Sequence, residues 1–266
     1  MMSSSSRVAD VVSVTRTDPD VWQATLGGNC AGRGDLTHWP DGRIFISIDS
    51  WQDHVFDRLA ETMLETVPGQ VYTLADSGDQ HVVNSWQRAG LVISQRRFDY
   101  TIPTEVFVAG VETPRDDLVF CSAEKAPLGA IAELEQSVRA ELAETGGWVQ
   151  TPLEVRGGTR GRLIPDLSQC VLVGGECAGF VRVRPLFRSE RSTHRARLGL
   201  VAIRPEYRRQ GLARALLRHT LVELALAGFH TAHAEVSECN ASAVALAQGL
   251  GAIRGATTVE LVRHGK

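Results

Sequence analysis

The stretch Val201-Ala202-Ile203-Arg204-Pro205-Glu206-Tyr207-Arg208-Arg209-Gln210-Gly211-Leu212-Ala213 leads directly into the amphipathic Arg214-Ala215-Leu216-Leu217. An apolar run stopped by Pro205, an arginine-rich turn and then apolar residues at helical spacing predict a strand that feeds a helix. Gly211 and Ala213 bring little or no side chain to the helix start, so backbone N–H groups there can approach a ligand. Those unpaired amides and the positive helix end favour an anion, and Arg208, Arg209 and Arg214 add charge beside it. A diphosphate meets that demand.

Working outward, residues 197–203 form the strand before the turn and 211–227 the helix after it. A strand at 231–236, a helix at 241–250 and a strand at 257–262 follow. Upstream, 170–173 and 180–183 flank Gly174-Gly175-Glu176, a hairpin signal. A helix at 128–142, stopped by Gly146-Gly147, follows a strand at 106–111. The same closing order is written earlier in the chain. A strand at 43–48 meets Asp49-Ser50 as a helix cap, and apolar periodicity runs through Val55, Leu59, Met63 and Leu64 until Gly69. A strand at 71–75, a turn at 76–79, a helix at 82–89 and an extended run from 91 to 102 complete it. Pro103-Thr104 then marks a boundary. The expected architecture is α/β (α+β by some schemes), with domains at 1–104 and 105–266 that repeat one pattern.

Arg208-x-x-Gly211-x-Ala213 after a strand resembles the [Gln/Arg]-x-x-Gly-x-[Gly/Ala] signature of the GNAT N-acetyltransferases, whose loop cradles the acetyl-CoA diphosphate. The resemblance implies two GNAT-like mixed sheets flanked by helices, with acetyl-CoA as acyl donor held by Val201, Ala202, Ile203, Arg208, Arg209, Gln210, Gly211, Leu212 and Ala213. Backbone N–H groups near 201–203 would polarise the thioester carbonyl. The run Asn240-x-x-Ala243-x-x-Leu246 matches the family's next cofactor-contacting motif, and Asn240 also suits a helix cap. Glu235 stands where relatives that acetylate ribosomal-protein amino termini place a glutamate that helps deprotonate the amine, with Glu238 as the alternative. Ala247 departs from the family, which usually has there a tyrosine that protonates the leaving thiolate. Either another group or water serves as acid, or the thiolate leaves unprotonated. The turn from Ile48 to Trp51 has no arginine-glycine loop, so the first half should not bind CoA. The layout resembles tandem GNAT proteins such as mycothiol synthase, with an incomplete or degenerate N-terminal half.

The bulk numbers fit this reading. A net charge of -3 gives no broad cationic field, which argues against nucleic acid as a partner. No apolar run is long enough to span a membrane, and the N-terminal serines follow no signal-peptide pattern. The 5 scattered cysteines without a Cys-x-x-Cys pair read as reduced thiols in a cytoplasm. His230 and His233 lack a third ligand, so no metal is expected. The acceptor is a small-molecule or peptide amine whose identity the sequence leaves open, as it does the acyl length and the choice between monomer and homodimer. A CoA-binding sensor or interaction module with little turnover is the alternative, and Ala247 is the feature that favours it.

Overall fold

The computed structural model describes residues 11–39, 42–108, 117–144, 164–186 and 194–265. They divide into two compact units, one of Met1–Ser94 with Thr258–Lys266 and one of Gln95–Thr257.

In the first unit, β1 (Ser13–Asp18), β2 (Val21–Leu26), β3 (Asn29–His38) and β4 (Ile44–Ser50) run as an antiparallel meander. Helix α1 (Asp53–Thr66) crosses over to β5 (Val71–Asp76), which pairs parallel with β4, and α2 (Gln80–Arg88) follows. Val55, Leu59, Ala60, Met63 and Leu64 recur at helical spacing and bury one face of α1. Gly32 and Gly34 in β3 leave the space that Leu59 and Met63 fill. Phe56 meets Trp86 of α2 edge-on at 4.9 Å. The expected cap at Asp49-Ser50 is not used. The strand continues through both residues, Gln52 occupies the N-cap without a side-chain bond, and Ser50 Oγ accepts instead from the Gln52 N–H at 3.3 Å.

The second unit has strand order β6-β11-β10-β9-β8-β7. Its strands are β6 (Val92–Pro103), β7 (Leu118–Ser122), β8 (Gln169–Val173), β9 (Glu176–Pro185), β10 (Arg195–Ile203) and β11 (Thr231–Ser237). Helices α3 (Ala130–Glu144), α4 (Leu212–Leu226) and α5 (Ala241–Gly249) accompany them, and β12 (Ile253–Arg263) ends the chain. The hairpin of β8 and β9 turns on Gly174 and Gly175, both at positive φ. The strand expected at 106–111 is corrected in its described part: Glu105–Phe107 is a single 3₁₀ turn, and 109–111 lie outside the described residues. The stop expected at Gly146-Gly147 also lies outside them.

Both halves close with strand, helix, strand, helix, strand, yet each final strand serves the other unit. From Arg97 to Pro103, β6 pairs antiparallel with β11, while from Thr258 to Arg263, β12 pairs antiparallel with β5. One element has no counterpart. Helix α3 stands between β7 and β8, whereas β1 and β2 are joined directly through Pro19 and Asp20.

Candidate active site

Beyond the hairpin, β10 makes the site possible by leaving its neighbour. It pairs parallel with β11 only at Arg195, Ala196 and Arg197, opposite Thr231, Ala232 and His233. On its other side β10 stays paired with β9, with a register shift between Leu198 and Val201. Such a bulge bends a strand and redirects its amides. Val201, Ala202 and Ile203 therefore hold β9 along one edge, opposite Val181, Phe180 and Gly179, while no described strand pairs their other edge. Gly179 is required there because a Cβ would collide with Ile203.

The strand ends where Pro205 begins a 3₁₀ turn, Pro205–Tyr207. Arg209 then takes a left-handed conformation at φ 61, the one described non-glycine residue with positive φ. Gly211, at φ 82, occupies the N-cap of α4 with no side-chain cap and no acidic residue in the first turn. A Cβ at Gly211 would meet nothing within 4 Å, so the space before the helix is open. Leu212, Leu216, Leu217, Leu221 and Leu224 anchor α4 in the core and leave its first amides as unsatisfied donors.

The arginines here divide their work. Arg208 forms a fork with Glu141 of α3 at 2.6 and 2.5 Å and donates through Nε to the Ile203 carbonyl at 3.0 Å. The Arg208 hydrogen bond holds the Glu141 carboxyl below its ordinary range. Arg208 thus ties α3 to the end of β10, leaving Arg209 exposed at the turn. Gln210 caps the Glu206 carbonyl at 3.1 Å. Ala213 lies half-buried in the first turn. Asn240 caps α5 by accepting from the Ala243 N–H at 3.0 Å.

Glu235 sits on β11 just past the point where β10 departs. Its Oε1 accepts from Arg97 of β6 at 3.2 Å and its Oε2 from Arg197 of β10 at 3.1 Å. The Arg97 side chain is only 3% exposed and that of Glu235 20%. Neither arginine was marked by the sequence, because the partners lie 138 and 38 residues away. Glu238 is more open, with Arg96 at 4.0 Å. Strand alternation places Glu235, with Arg97, on one face and Phe98, Tyr100, Ala234 and Val236 on the other. Ala247 of α5 packs on that second face in a cluster with Phe98 and Tyr100. Among the described residues no helix is long and apolar enough to cross a membrane, and no group of three or more His, Cys, Asp or Glu is placed to hold a metal.

Residues 142–252, a span that contains the β10 loop and Asn240, match the sequence pattern of the acetyltransferase (GNAT) family. A stretch of 51 residues is 49% identical to the [ribosomal protein bS18]-alanine N-acetyltransferase of Escherichia coli K12, covering 19% of this chain. The chain matches about a third of that relative's length, 34%. Among solved structures, a GCN5-related N-acetyltransferase from Sphaerobacter thermophilus superposes with TM-score 0.64 at 12% identity, over 92% of this chain and 80% of the other. A tandem GNAT protein from the clavulanic acid biosynthesis pathway gives 0.58 at 16% identity, over 92% and 82%. These likenesses show that the chain has the α/β GNAT fold, and the family's sequence pattern falls on the half that carries the open strand edge and the uncapped helix.

Proposed function

We propose that the protein is an acetyl-CoA-dependent N-acetyltransferase that moves an acetyl group to a primary amine by direct attack. One observation carries the reading: β10 parts from β11 after three residue pairs and ends at a left-handed turn and an uncapped helix. An open strand edge offers backbone groups to an amide-bearing chain, and the helix start beside Arg209 offers amides to a diphosphate. Acetyl-CoA has both parts in that order. Val201, Ala202 and Ile203 would face the donor along the strand, residues Arg208 to Ala213 would surround the diphosphate, and Asn240 would flank it from α5. Arg208, already bound to Glu141, acts in this reading by fixing the loop.

Glu235 is the proposed base. Its carboxylate is held near the parting of the strands, where an acceptor amine must give up a proton before or during attack. The amine class is supported by the curated relative, which acts on a ribosomal-protein alanine. A peptide amino terminus or a small-molecule amine fits equally. The first half, without the arginine-glycine loop and without a counterpart of α3, is proposed as a degenerate repeat within domains 1–104 and 105–266, an arrangement like that of tandem proteins such as mycothiol synthase. Free cysteines at 5 positions suit a cytoplasmic setting.

The test is thiol release from acetyl-CoA against a panel of small amines and peptides with free amino termini, run beside a CoA titration. Binding with amine-dependent thiol release is expected. A chain that binds no CoA overturns the reading.

A further inference from the structure

If acetyl transfer takes place here, the sulfur must leave with the electron pair of the C–S bond. Position 247 supplies no proton, since it is an alanine 7% exposed. What packs against it is Tyr100 of β6, with Phe98, Val236, Val244 and Ala252. Tyr100 is 1% exposed, and its hydroxyl has no hydrogen-bond partner. A buried phenol without a partner is costly, and such groups in native proteins call for an explanation. Tyr100 also has a telling register. It lies opposite Ala234, the first residue of β11 beyond the last pair made with β10. It shares a face with α5, whereas Glu235 occupies the opposite face.

We propose that Tyr100 is the acid of the transfer step, giving its phenol proton to the departing CoA sulfur and replacing from β6 the hydroxyl that position 247 lacks. The assignment rests on the acetyl-CoA reading above. The acceptor nitrogen forms the C–N bond, the C–S bond breaks, and the phenol O–H proton goes to sulfur. The proton lost by the amine passes to Glu235 or water and returns through solvent to the phenolate, so an amide and free CoA thiol are the only products. The two faces then divide the work, with proton removal beside Glu235 and proton delivery beside Ala247.

The test compares CoA with desulfo-CoA on the full chain and on Tyr100→Phe, which keeps the ring and its packing. At about pH 8.5, where the thiol is partly ionised, wild type should bind CoA about tenfold more tightly than desulfo-CoA, through a charge-assisted bond to sulfur. Tyr100→Phe should erase that difference and leave desulfo-CoA affinity unchanged. With 3 tyrosines in the chain, carbon-13 labelling at the phenol carbon should show one resonance that moves with CoA and stays with desulfo-CoA. Turnover in Tyr100→Phe should fall about a hundredfold. A CoA preference that survives in Tyr100→Phe overturns the assignment while leaving the transferase reading intact. A wild type that binds neither ligand overturns both.

Discussion

Glu235 can be replaced by glutamine with almost no change of shape, and that substitution separates its two roles. As a structural group it anchors Arg97 and Arg197, and the carboxamide can still accept from one guanidinium while its NH2 faces the other. Hydrogen bonds to charged groups contribute about 1.5–3 kcal/mol each. One lost bond should therefore lower the melting temperature by about 3–12 °C, taking about 2–4 °C per kcal/mol for a unit of this size. Glu235→Ala, which strips both arginines of this anion, should cost about 3–5 kcal/mol. As a base, the carboxylate is expected to supply about 10²–10⁴ in rate. The two effects are distinguishable at 25 °C, because a domain stable by about 5–15 kcal/mol remains folded after losing 3. Glu235→Gln should thus reduce kcat about a hundredfold or more with acetyl-CoA affinity within about threefold of wild type. The assay pairs a thermal melt with kcat and a direct titration of acetyl-CoA. A lowered melting temperature with wild-type kcat would refute the assignment and leave Glu235 as an ion-pair hub, with Glu238 or solvent taking the proton.

Ala247→Tyr inserts a phenol beside Phe98 and Tyr100, where little free space exists. It should destabilise the protein by about 1–3 kcal/mol without raising turnover, and a faster, equally stable variant would contradict the packing seen here. His219 of α4 stacks on Phe120 at 4.6 Å, and burial pushes its imidazole below the ordinary value of 6.5. Below about pH 6.5 the unfolded chain takes up a proton that the folded chain resists, so stability should fall with pH until the folded imidazole also protonates. Thermal melts between about pH 7 and 5 should slope less in His219→Leu, and an unchanged slope would rule this histidine out as the cause.

The chain showed its second half more clearly than its first. From 195 to 263 every strand and helix is bracketed by a proline, glycine or asparagine with a structural task, such as Gly211 at φ 82 and Asn240 capping α5. Strands β1 to β3 carry no such marks. β1 has almost no buried face, and Gly32 and Gly34 interrupt the alternation of β3 because α1 packs on their bare backbone. The exchange of final strands was not legible either. Local pattern tells that 91–102 is extended, but pairing with β11 is a long-range choice that periodicity does not encode. For the same reason Glu235 could be singled out by its position in a motif while its arginine partners could not. Tyr100 carried no signal until its buried hydroxyl appeared beside Ala247.

The account depends most on a single cofactor site at the β10 to α4 turn, and calorimetric titration of acetyl-CoA into wild type and Gly211→Asp tests it most directly. Wild type should bind one molecule per chain, since the first half has Ser50, Trp51 and Gln52 where the second half has its arginine-glycine loop. In Gly211→Asp a carboxylate stands among the amides meant for diphosphate, and a side chain is forced to φ 82. Affinity should fall by at least about a hundredfold while the melting temperature changes by only a few degrees. Two sites per chain, or unchanged affinity in the variant, would contradict the central claim.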